Sequence, residues 1–153
     1  MIGSSVLEKG WIEDLPDDKS VVVVAEGLLM YLKQKEIKRL ILRLAKKLGS
    51  FTMIFDAYST LTARSAKNHP SLKKMGASIN WGIDDPKEIE GWFPGVSVVE
   101  EVFFTSKEAL EGLGGFNKFL YSIAGAFKTA RRAHRIIVLR IDGIPQEVES
   151  DWN

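Results

Sequence analysis

The chain has 153 residues, enough for one domain with a hydrophobic core, and 45% of them are hydrophobic, as in an ordinary globular protein. The 21 basic and 20 acidic side chains leave a formal net charge of +1, which argues against nucleic acid and against an anionic membrane surface as partners. Because cysteine is absent, disulfides and cysteine-based zinc sites are excluded, and two histidines, His69 and His134, are too few and too poorly spaced for a histidine-based metal site.

The first predicted element is a strand of four valines, Val21 to Ala25, which follows the turn-rich stretch LPDDKS. A continuous apolar run between turn signals is typical of a strand buried on both faces, as in a parallel sheet that helices cover. The strand ends at a single carboxylate, Glu26, followed by Gly27. This position raises the question of why one acid stands at the end of a buried strand.

A helix and a second strand follow. Apolar residues recur with helical spacing from Ile37 to Leu48, and Gly49 is placed to end the helix. A short apolar strand then runs from Phe51 to Phe55 and delivers a second carboxylate, Asp56. Strand, helix and strand form a βαβ unit, so both acids are expected at the carboxyl edge of a parallel sheet, where ligands bind in open α/β folds.

The remaining elements are predicted from turn signals and from the same periodicities. They are a helix within Leu61–Met75 that His69 and Pro70 interrupt, a short helix after Asp84, Asp85 and Pro86, a strand over Val96–Thr105, a helix over Phe116–Ala133, a strand over Arg135–Ile141 and an acidic tail over Asp142–Asn153.

Three motifs carry a resemblance to a known family. AEGLLMYL follows the valine strand, IFDAYS closes the next strand, and NWGIDDPKEIEGW comes later in the chain. In this order and spacing they resemble the leucine carboxyl methyltransferase family of S-adenosylmethionine-dependent enzymes, and within it the branch similar to the tetracenomycin polyketide O-methyltransferase. The resemblance extends from Ile2 to Ile141.

The resemblance implies an α/β fold, the C-terminal part of a Rossmann-like class I methyltransferase sheet. That sheet has the strand order 3-2-1-4-5-7-6 with an antiparallel last strand, and this chain matches strands 4-5-7-6, with helices on both faces. Residues 1–141 are then expected to be the C-terminal half of the domain and residues 142–153 a tail. The family's glycine-rich cofactor turn is missing, since Gly112, Gly114 and Gly115 lie late in the chain. The valine strand becomes an edge, so we expect a homo-oligomer or pairing with a missing N-terminal half.

The implied cofactor is S-adenosylmethionine. By resemblance, Glu26 and Gly27 contact its methionine portion, and Ser5, Val6 and Trp11 lie in the segment that contacts the adenine. A carboxylate can hold the cofactor's ammonium while leaving the sulfonium methyl accessible. Two alternatives stay open: Glu26 could cap the following helix, and Gly27 could be a simple turn glycine.

On the substrate side, the resemblance implies Tyr31, Asp56, Tyr58 and Trp81. Tyr31 is the single candidate for a catalytic residue, with a half-buried structural aromatic as its alternative. Asp56 could instead be a helix cap or a structural hydrogen-bond acceptor. His134 is expected at a helix end, where the helix dipole accounts for it, and no residue stands out as a general base.

The predicted function is therefore an S-adenosylmethionine-dependent O-methyltransferase acting on a hydroxyl or carboxylate acceptor, inactive as an isolated chain without the missing half. The alternative is a non-catalytic truncated remnant that self-associates through its strand edge. A nucleic-acid binder using the basic helix is a weaker possibility, because those charges suit a solvated helix face. With no apolar run of roughly 18 residues and no signal pattern, we expect a cytoplasmic protein without membrane contact.

Overall fold

The structure, a computed structural model, describes residues 3–16, 20–66, 77–103 and 133–143. Its elements are α1 (Gly10–Glu13), β1 (Val21–Ala25), a 3₁₀ helix (Leu29–Tyr31), α2 (Gln34–Leu48), β2 (Ser50–Tyr58), α3 (Thr60–Ala66), a second 3₁₀ helix (Pro86–Ile89), β3 (Val96–Phe103) and β4 (His134–Asp142). Residues 116–132 of the predicted long helix, His69, the three late glycines and residues 144–153 of the predicted tail lie outside the described residues.

The four strands form one sheet in the order β1-β2-β4-β3. β1 and β2 are parallel, with Val21 opposite Phe51, while β4 is antiparallel to both β2 and β3. This is the predicted order 4-5-7-6 with an antiparallel last strand, so the fold prediction is confirmed. β3 carries one irregularity between Val98 and Glu100 that shifts its register against β4.

The core lies on one face of the sheet, which we call the inner face. Its β2 residues are Phe51, Met53, Phe55 and Ala57, all 3% exposed or less, and they alternate with less buried residues as the pleat requires. The apolar stripe of α2 packs against this face, and from β4 it is joined by residues that include Leu139. The helix ends at Gly49, whose φ of 68° is costly for other residues and explains why glycine ends it.

Within the described part of the chain, β1 presents exposed side chains on the opposite, outer face. Val22 is 58% exposed and Val24 is 66% exposed, so the prediction of a strand buried on both faces is wrong for this strand. Among the described strands, β1 lies at an edge of the sheet, and of its residues the inner ones pack against the described core. A run of valines has no polar residue to mark the exposed face, which is why the sequence pattern could not reveal it.

β2 is longer than predicted. It runs from Ser50 to Tyr58, so Asp56 and Tyr58 lie inside the strand and not after it. The physical reason is β4, which pairs with β2 residue by residue from Asp142 opposite Ser50 to His134 opposite Tyr58. The antiparallel hydrogen bonds to β4 extend the strand beyond Phe55, where the predicted strand ended.

The segment after residue 77 closes over the end of the sheet. Arg135 is fully buried and its guanidinium donates to the carbonyl of Ile83 and, at 2.8 Å, to the carboxylate of Glu101. The predicted short helix is present as the 3₁₀ helix Pro86–Ile89, and Asp85 caps its start by accepting a hydrogen bond from the backbone N–H of Lys87. Among the described residues, no helix is long and apolar enough to cross a membrane.

Candidate functional site at the carboxyl edge of the sheet

The predicted acids do meet at one edge of the sheet. β1 and β2 are parallel and both end there, and β4, being antiparallel, begins there. The site therefore draws on three strands, of which sequence reasoning used two. Its described residues are the turn at Glu26 and Gly27, the last residues of β2, and His134 at the start of β4.

Asp56 is the centre of this edge. It is 8% exposed, and one carboxylate oxygen, Oδ1, accepts from the backbone N–H of Gly27 at 2.7 Å. The other oxygen, Oδ2, lies 2.9 Å from Nε2 of His134. Hydrogen bonds to an ionised acceptor are the stronger kind, so one buried carboxylate fastens the turn after β1 and the start of β4 to β2. The alternative of a structural acceptor is confirmed for Asp56.

Glu26 follows β1 directly and its side chain is exposed. The capping alternative is wrong for it: the 3₁₀ helix Leu29–Tyr31 has no side-chain cap, and at the start of α2 the carboxylate of Glu36 accepts from the backbone N–H of Lys33 at 2.7 Å. Within the described part of the chain, no hydrogen bond reaches the Glu26 carboxylate. Its charge is therefore presented to the space beyond the edge.

Gly27 adopts a left-handed turn, with φ of 60°. A Cβ built on it would meet nothing within 4 Å, so open space lies beside the backbone at this point. The turn requirement explains the glycine by itself. The same open space also leaves room for a ligand to approach the backbone next to Glu26.

His134 was missed by sequence reasoning. It is the first residue of β4, not a helix end, because the strand begins one residue earlier than predicted. Its ring lies against Tyr58, with ring centroids 4.5 Å apart, and its side chain is 33% exposed. The signal that could have found it is topological: an antiparallel last strand starts at the edge where the parallel strands end.

Tyr58 is partly buried at the same edge. Burial, and then the negative charges of Asp56 and Tyr31, raise the pKa of its phenol above the ordinary value of 10.0. Tyr58 is therefore a neutral hydroxyl at physiological pH. Tyr31 lies in the 3₁₀ helix before α2 and is 39% exposed, so it is available on the surface beside Tyr58.

Trp81 anchors the loop beside Tyr31. The backbone N–H groups of Asn80 and Trp81 both donate to the carbonyl of Met30, at 2.8 and 3.1 Å. The indole of Trp81 is 6% exposed and packs with its centroid 6.1 Å from those of Phe55 and Trp92. Its ring thus belongs to the core, and its link to the site runs through the loop that it holds.

The same loop approaches the end of β2 closely. A Cβ on Gly82 would lie 2.8 Å from that of Ala63 and 2.9 Å from the carbonyl oxygen of Ser59, so only glycine fits without a shift. Next to it, Asp84 accepts from the backbone N–H of Thr60 at 3.0 Å and also from its hydroxyl. Both hydrogen bonds lower the pKa of Asp84, and the one from the Thr60 hydroxyl has the larger effect.

The predicted adenine residues form a separate group. Leu7 donates its backbone N–H to Oγ of Ser5 at 3.3 Å, and the indole N–H of Trp11 donates to the carbonyl of Val6 at 3.2 Å. Arg43 of α2 ties this segment to the helix through the carbonyl of Leu7, at 2.7 Å. The structure therefore brings Glu26, Gly27, Asp56 and Tyr58 together, and it holds Ser5, Val6 and Trp11 as a second cluster.

A groove of about 740 Å³ runs between the N-terminal segment and α2, with Leu7, Ile12, Arg39 and Arg43 in its walls. Burial, and then the charge of Arg39, lower the pKa of Arg43. The strand ends contribute no residue to the walls of this groove, so the groove is not the site proposed at the carboxyl edge.

Among the described residues, no three acidic or histidine side chains are grouped as metal ligands would be.

Comparisons with known proteins agree on one class of enzyme. No family model matches the chain. It is 30% identical over 137 residues to the tetracenomycin polyketide synthesis O-methyltransferase TcmP of Streptomyces glaucescens, covering 90% of this chain and 51% of that protein. It is also 30% identical over 135 residues to the S-adenosyl-L-methionine-dependent methyltransferase dpfgK of Gibberella zeae, covering 82% of this chain and 45% of that protein. The chain thus spans about half the length of the curated relatives it matches.

A solved structure supports the fold. A DUF574 family protein from Streptomyces avermitilis superposes with a TM-score of 0.59 at 14% identity, over 90% of this chain and 53% of that one. The wider assignment to the leucine carboxyl methyltransferase family stays a prediction. Over the matched residues, the chain is homologous to the branch of S-adenosylmethionine-dependent methyltransferases that includes the tetracenomycin polyketide synthesis O-methyltransferase.

Proposed function

We propose that the chain contributes to an S-adenosylmethionine-dependent O-methyltransferase whose cofactor lies at the turn of Glu26 and Gly27. The observation that carries the proposal is the hydrogen bond from the Gly27 N–H to the buried carboxylate of Asp56, which holds this turn at the carboxyl edge. In open α/β sheets ligands bind at that edge. The curated relatives, matched over this same region, are methyltransferases.

The residues present fit the cofactor. Its methionine portion carries an ammonium group, and Glu26 presents an exposed carboxylate with no described partner. Beside it, the space next to Gly27 is open for a ligand to lie against the backbone. Ser5, Val6 and Trp11 would contact the adenine, and Tyr31, Asp56, Tyr58 and the loop that Trp81 anchors would form the substrate side.

Methyl transfer asks the protein mainly for alignment. The bound cofactor supplies a methyl group already activated on a sulfonium. The residues of this chain would hold the ammonium, keep the acceptor oxygen in line with the methyl carbon and exclude water. Rigid positioning of the turn by Asp56 serves that purpose, since small displacements of reacting atoms lower the rate steeply.

The β1 edge is the proposed attachment point for a second polypeptide. β1 stands at the end of the four-stranded sheet, and its outer residues Val22 and Val24 are exposed. Unpaired strand edges are templates for pairing. We propose that a second copy, or a separate chain that supplies the rest of the methyltransferase sheet, pairs there and completes the cofactor site.

The alternative function is a non-catalytic remnant that associates through β1 and binds no cofactor tightly. It is favoured by the same exposed valines. Multi-angle light scattering after size exclusion tests association between copies of this chain, and a monomer across the accessible concentrations would contradict pairing with a second copy. Cofactor binding then separates the two candidates.

Isothermal titration of the chain with S-adenosylmethionine tests the proposed function. We expect a Kd tighter than about 100 μM, roughly 5.5 kcal/mol of binding free energy. Glu26→Gln should weaken binding about tenfold, because it removes one charge-assisted hydrogen bond. The control is Glu13→Gln, an exposed glutamate in the groove along α2, which should leave the Kd unchanged. No heat at millimolar cofactor would favour the remnant.

A further inference from the structure

The segment from Glu26 to Tyr31 is short and is held at both ends. Near its start, the backbone N–H of Gly27 donates to the carboxylate of Asp56 at 2.7 Å. At its end, the carbonyl of Tyr31 accepts from the side-chain amide, Nδ2, of Asn80 at 2.8 Å. This segment carries both the carboxylate proposed for the cofactor and a tyrosine proposed for the substrate side, so the two anchors fix one relative to the other.

Between these anchors lies the 3₁₀ helix Leu29–Tyr31. The end of a helix leaves carbonyl groups without partners inside the helix. The loop of residues 77–85 supplies partners from outside: two of its backbone N–H groups donate to the carbonyl of Met30, and the Asn80 amide donates to that of Tyr31. Because a single helical turn is not stable by itself, these three hydrogen bonds define the position of Tyr31.

Asn80 has a place in this loop that the core does not explain. Its neighbours Ile79 and Trp81 are 5% and 6% exposed, whereas Asn80 is an exposed residue. Apolar burial of these neighbours therefore anchors the loop without the amide. The amide is itself oriented, because its Oδ1 accepts from the hydroxyl of Ser78 at 3.1 Å and its Nδ2 is then the group that faces Tyr31.

The same loop is also fastened to Tyr58. The backbone N–H of Ile83 donates to the carbonyl of Tyr58 at 2.8 Å. The side chain of Tyr58 packs against a small buried cluster that draws on the 3₁₀ helix, α3 and the loop, namely Met30, Ala63 and Ile79. The 3₁₀ helix, the loop and the end of β2 are therefore one packed unit beside the candidate site.

The ring of Tyr31 stands on the surface of this unit. Tyr31 is 39% exposed, so packing alone does not fix its ring. Its position is set through the backbone, where the Asn80 amide holds the carbonyl of the same residue. The ammonium and the sulfonium of the cofactor lie in one short methionine portion, so a ligand held by Glu26 brings its sulfonium within reach of this segment. An aromatic ring is a favourable neighbour for such a cation.

We infer that Asn80 is a positioning residue of this methyltransferase, which holds the carbonyl of Tyr31 and so keeps the Tyr31 ring beside the methyl group that the cofactor donates; the inference rests on the proposed function. Asp56 fixes the cofactor end of the segment and Asn80 fixes the acceptor end. Loss of the Asn80 contact should therefore displace the ring and leave cofactor affinity intact. A residue with a structural role alone would not separate the two effects.

Fluorine NMR of the chain labelled with 3-fluorotyrosine tests the inference without an acceptor and without turnover. The chain has three tyrosines, and Tyr31→Phe identifies the Tyr31 signal by removing it. The probes are S-adenosylmethionine, which carries the methyl group and a cationic sulfur, and S-adenosylhomocysteine, which carries neither. We expect the signal of Tyr31 to differ between the two complexes more than the other tyrosine signals do. Equal Tyr31 signals in the two complexes overturn the inference.

Asn80→Asp is the matched variant, because it keeps the side-chain shape and the acceptor for Ser78 but loses the donor to Tyr31. The difference between the two complexes at Tyr31 should disappear in this variant, while the Kd of S-adenosylhomocysteine changes less than about twofold. Retention of the natural difference contradicts the inference. A variant that loses the folded signals of all tyrosines, together with ligand binding, shows a structural role and contradicts it as well.

Two further variants control for the loop. Ser78→Ala removes the other hydrogen bond of the amide and should preserve the difference at Tyr31, because the bond from Nδ2 remains. Asn80→His supplies a ring N–H close to the place of Nδ2 and should restore part of the difference that Asn80→Asp removes. Equal loss in Ser78→Ala and Asn80→Asp would contradict a specific role for the bond to Tyr31.

The proposed function fails by a separate measurement. If S-adenosylhomocysteine produces no heat by titration calorimetry with the natural chain, the cofactor proposal is wrong and the inference falls with it. If the ligand binds the natural chain and Asn80→Asp with the same Kd, while the Tyr31 signal responds neither to the methyl group nor to the substitution, the proposed function stands and the positioning role does not. Calorimetry therefore tests the first proposal and the Tyr31 signal tests the second.

Discussion

The inner face of the sheet forms the hydrophobic core, whereas the outer face carries exposed residues and the candidate site. On the inner face, Met53 and Leu139 are fully buried against the stripe of α2. On the outer face, Val24 is 66% exposed at one end of the sheet, while Asp56 and His134 form a hydrogen-bonded pair at the carboxyl edge. Because successive residues of a strand point to opposite faces, the same three strands supply the core and the site without competing for positions.

This division separates stability from function. Substitutions on the inner face remove apolar burial, which dominates the free energy of unfolding. Substitutions on the outer face of β1 remove little burial, because the side chains are already exposed to water. The comparison predicts unequal costs for apolar truncations of similar chemistry on neighbouring strands.

The largest effect is expected for Leu139→Ala. Leu139 is completely buried in β4, opposite Met53, and truncation leaves a cavity at the centre of the inner face. The free energy of unfolding should fall by about 3 kcal/mol. Urea unfolding monitored by circular dichroism measures it, and a loss below about 1 kcal/mol would show that this face is not the main core.

Gly82→Ala comes next. Its new Cβ would collide with the carbonyl of Ser59, which follows β2 directly, and with Ala63 in α3, so the loop must move away from the end of β2 and from α3. We expect a loss of about 2 kcal/mol, in the range of overpacked sites. Gly10→Ala is the control, because its added Cβ meets nothing within 4 Å. Equal stability of the two variants would contradict the close approach.

Val24→Thr tests the outer face of β1. It places a hydroxyl on an exposed β-branched position of similar volume, so the free energy of unfolding should change by less than about 0.5 kcal/mol. The measurement is the same urea titration at a protein concentration below that of association. A loss equal to that of Leu139→Ala would mean that another part of the protein covers this face.

The smallest effect concerns pH. Hydrogen bonds from Thr60 lower the pKa of Asp84 below its ordinary value of 3.8. Because the folded-state pKa is lowered, the stabilisation is fully present above 3.8 and is lost as the pH falls through the folded-state pKa. The stability difference between the natural chain and Asp84→Asn should therefore shrink below about pH 4. A difference that stays constant down to pH 2 would contradict this origin.

Much of the fold could be predicted from local pattern. The spacing from Ile37 to Leu48 indicated α2, Gly49 marked its end, and the βαβ unit placed Glu26 and Asp56 at one edge because parallel strands end together. The order of all four strands follows from the family resemblance and not from periodicity, because no local sequence pattern predicts that β4 lies between β2 and β3.

What could not be predicted depends on long-range contacts. Whether an all-valine strand is covered on one face or two is decided by its neighbours, and Val22 and Val24 are exposed. The pairing of Asp56 with His134 joins residues far apart in sequence, through an antiparallel register that no local signal specifies. For that reason the local pattern predicts a helix end at His134 and does not place this residue at the site.

The central claim is that the cofactor binds at the turn that Asp56 holds. A titration of the nitrogen-15-labelled chain with S-adenosylhomocysteine, followed by amide NMR, tests it most directly. We expect the largest shifts at Gly27 and its neighbours, and their loss in Asp56→Ala, which removes the acceptor of the Gly27 N–H. Shifts confined to the groove around Leu7 and Arg43, or no shifts at millimolar ligand, would contradict the account.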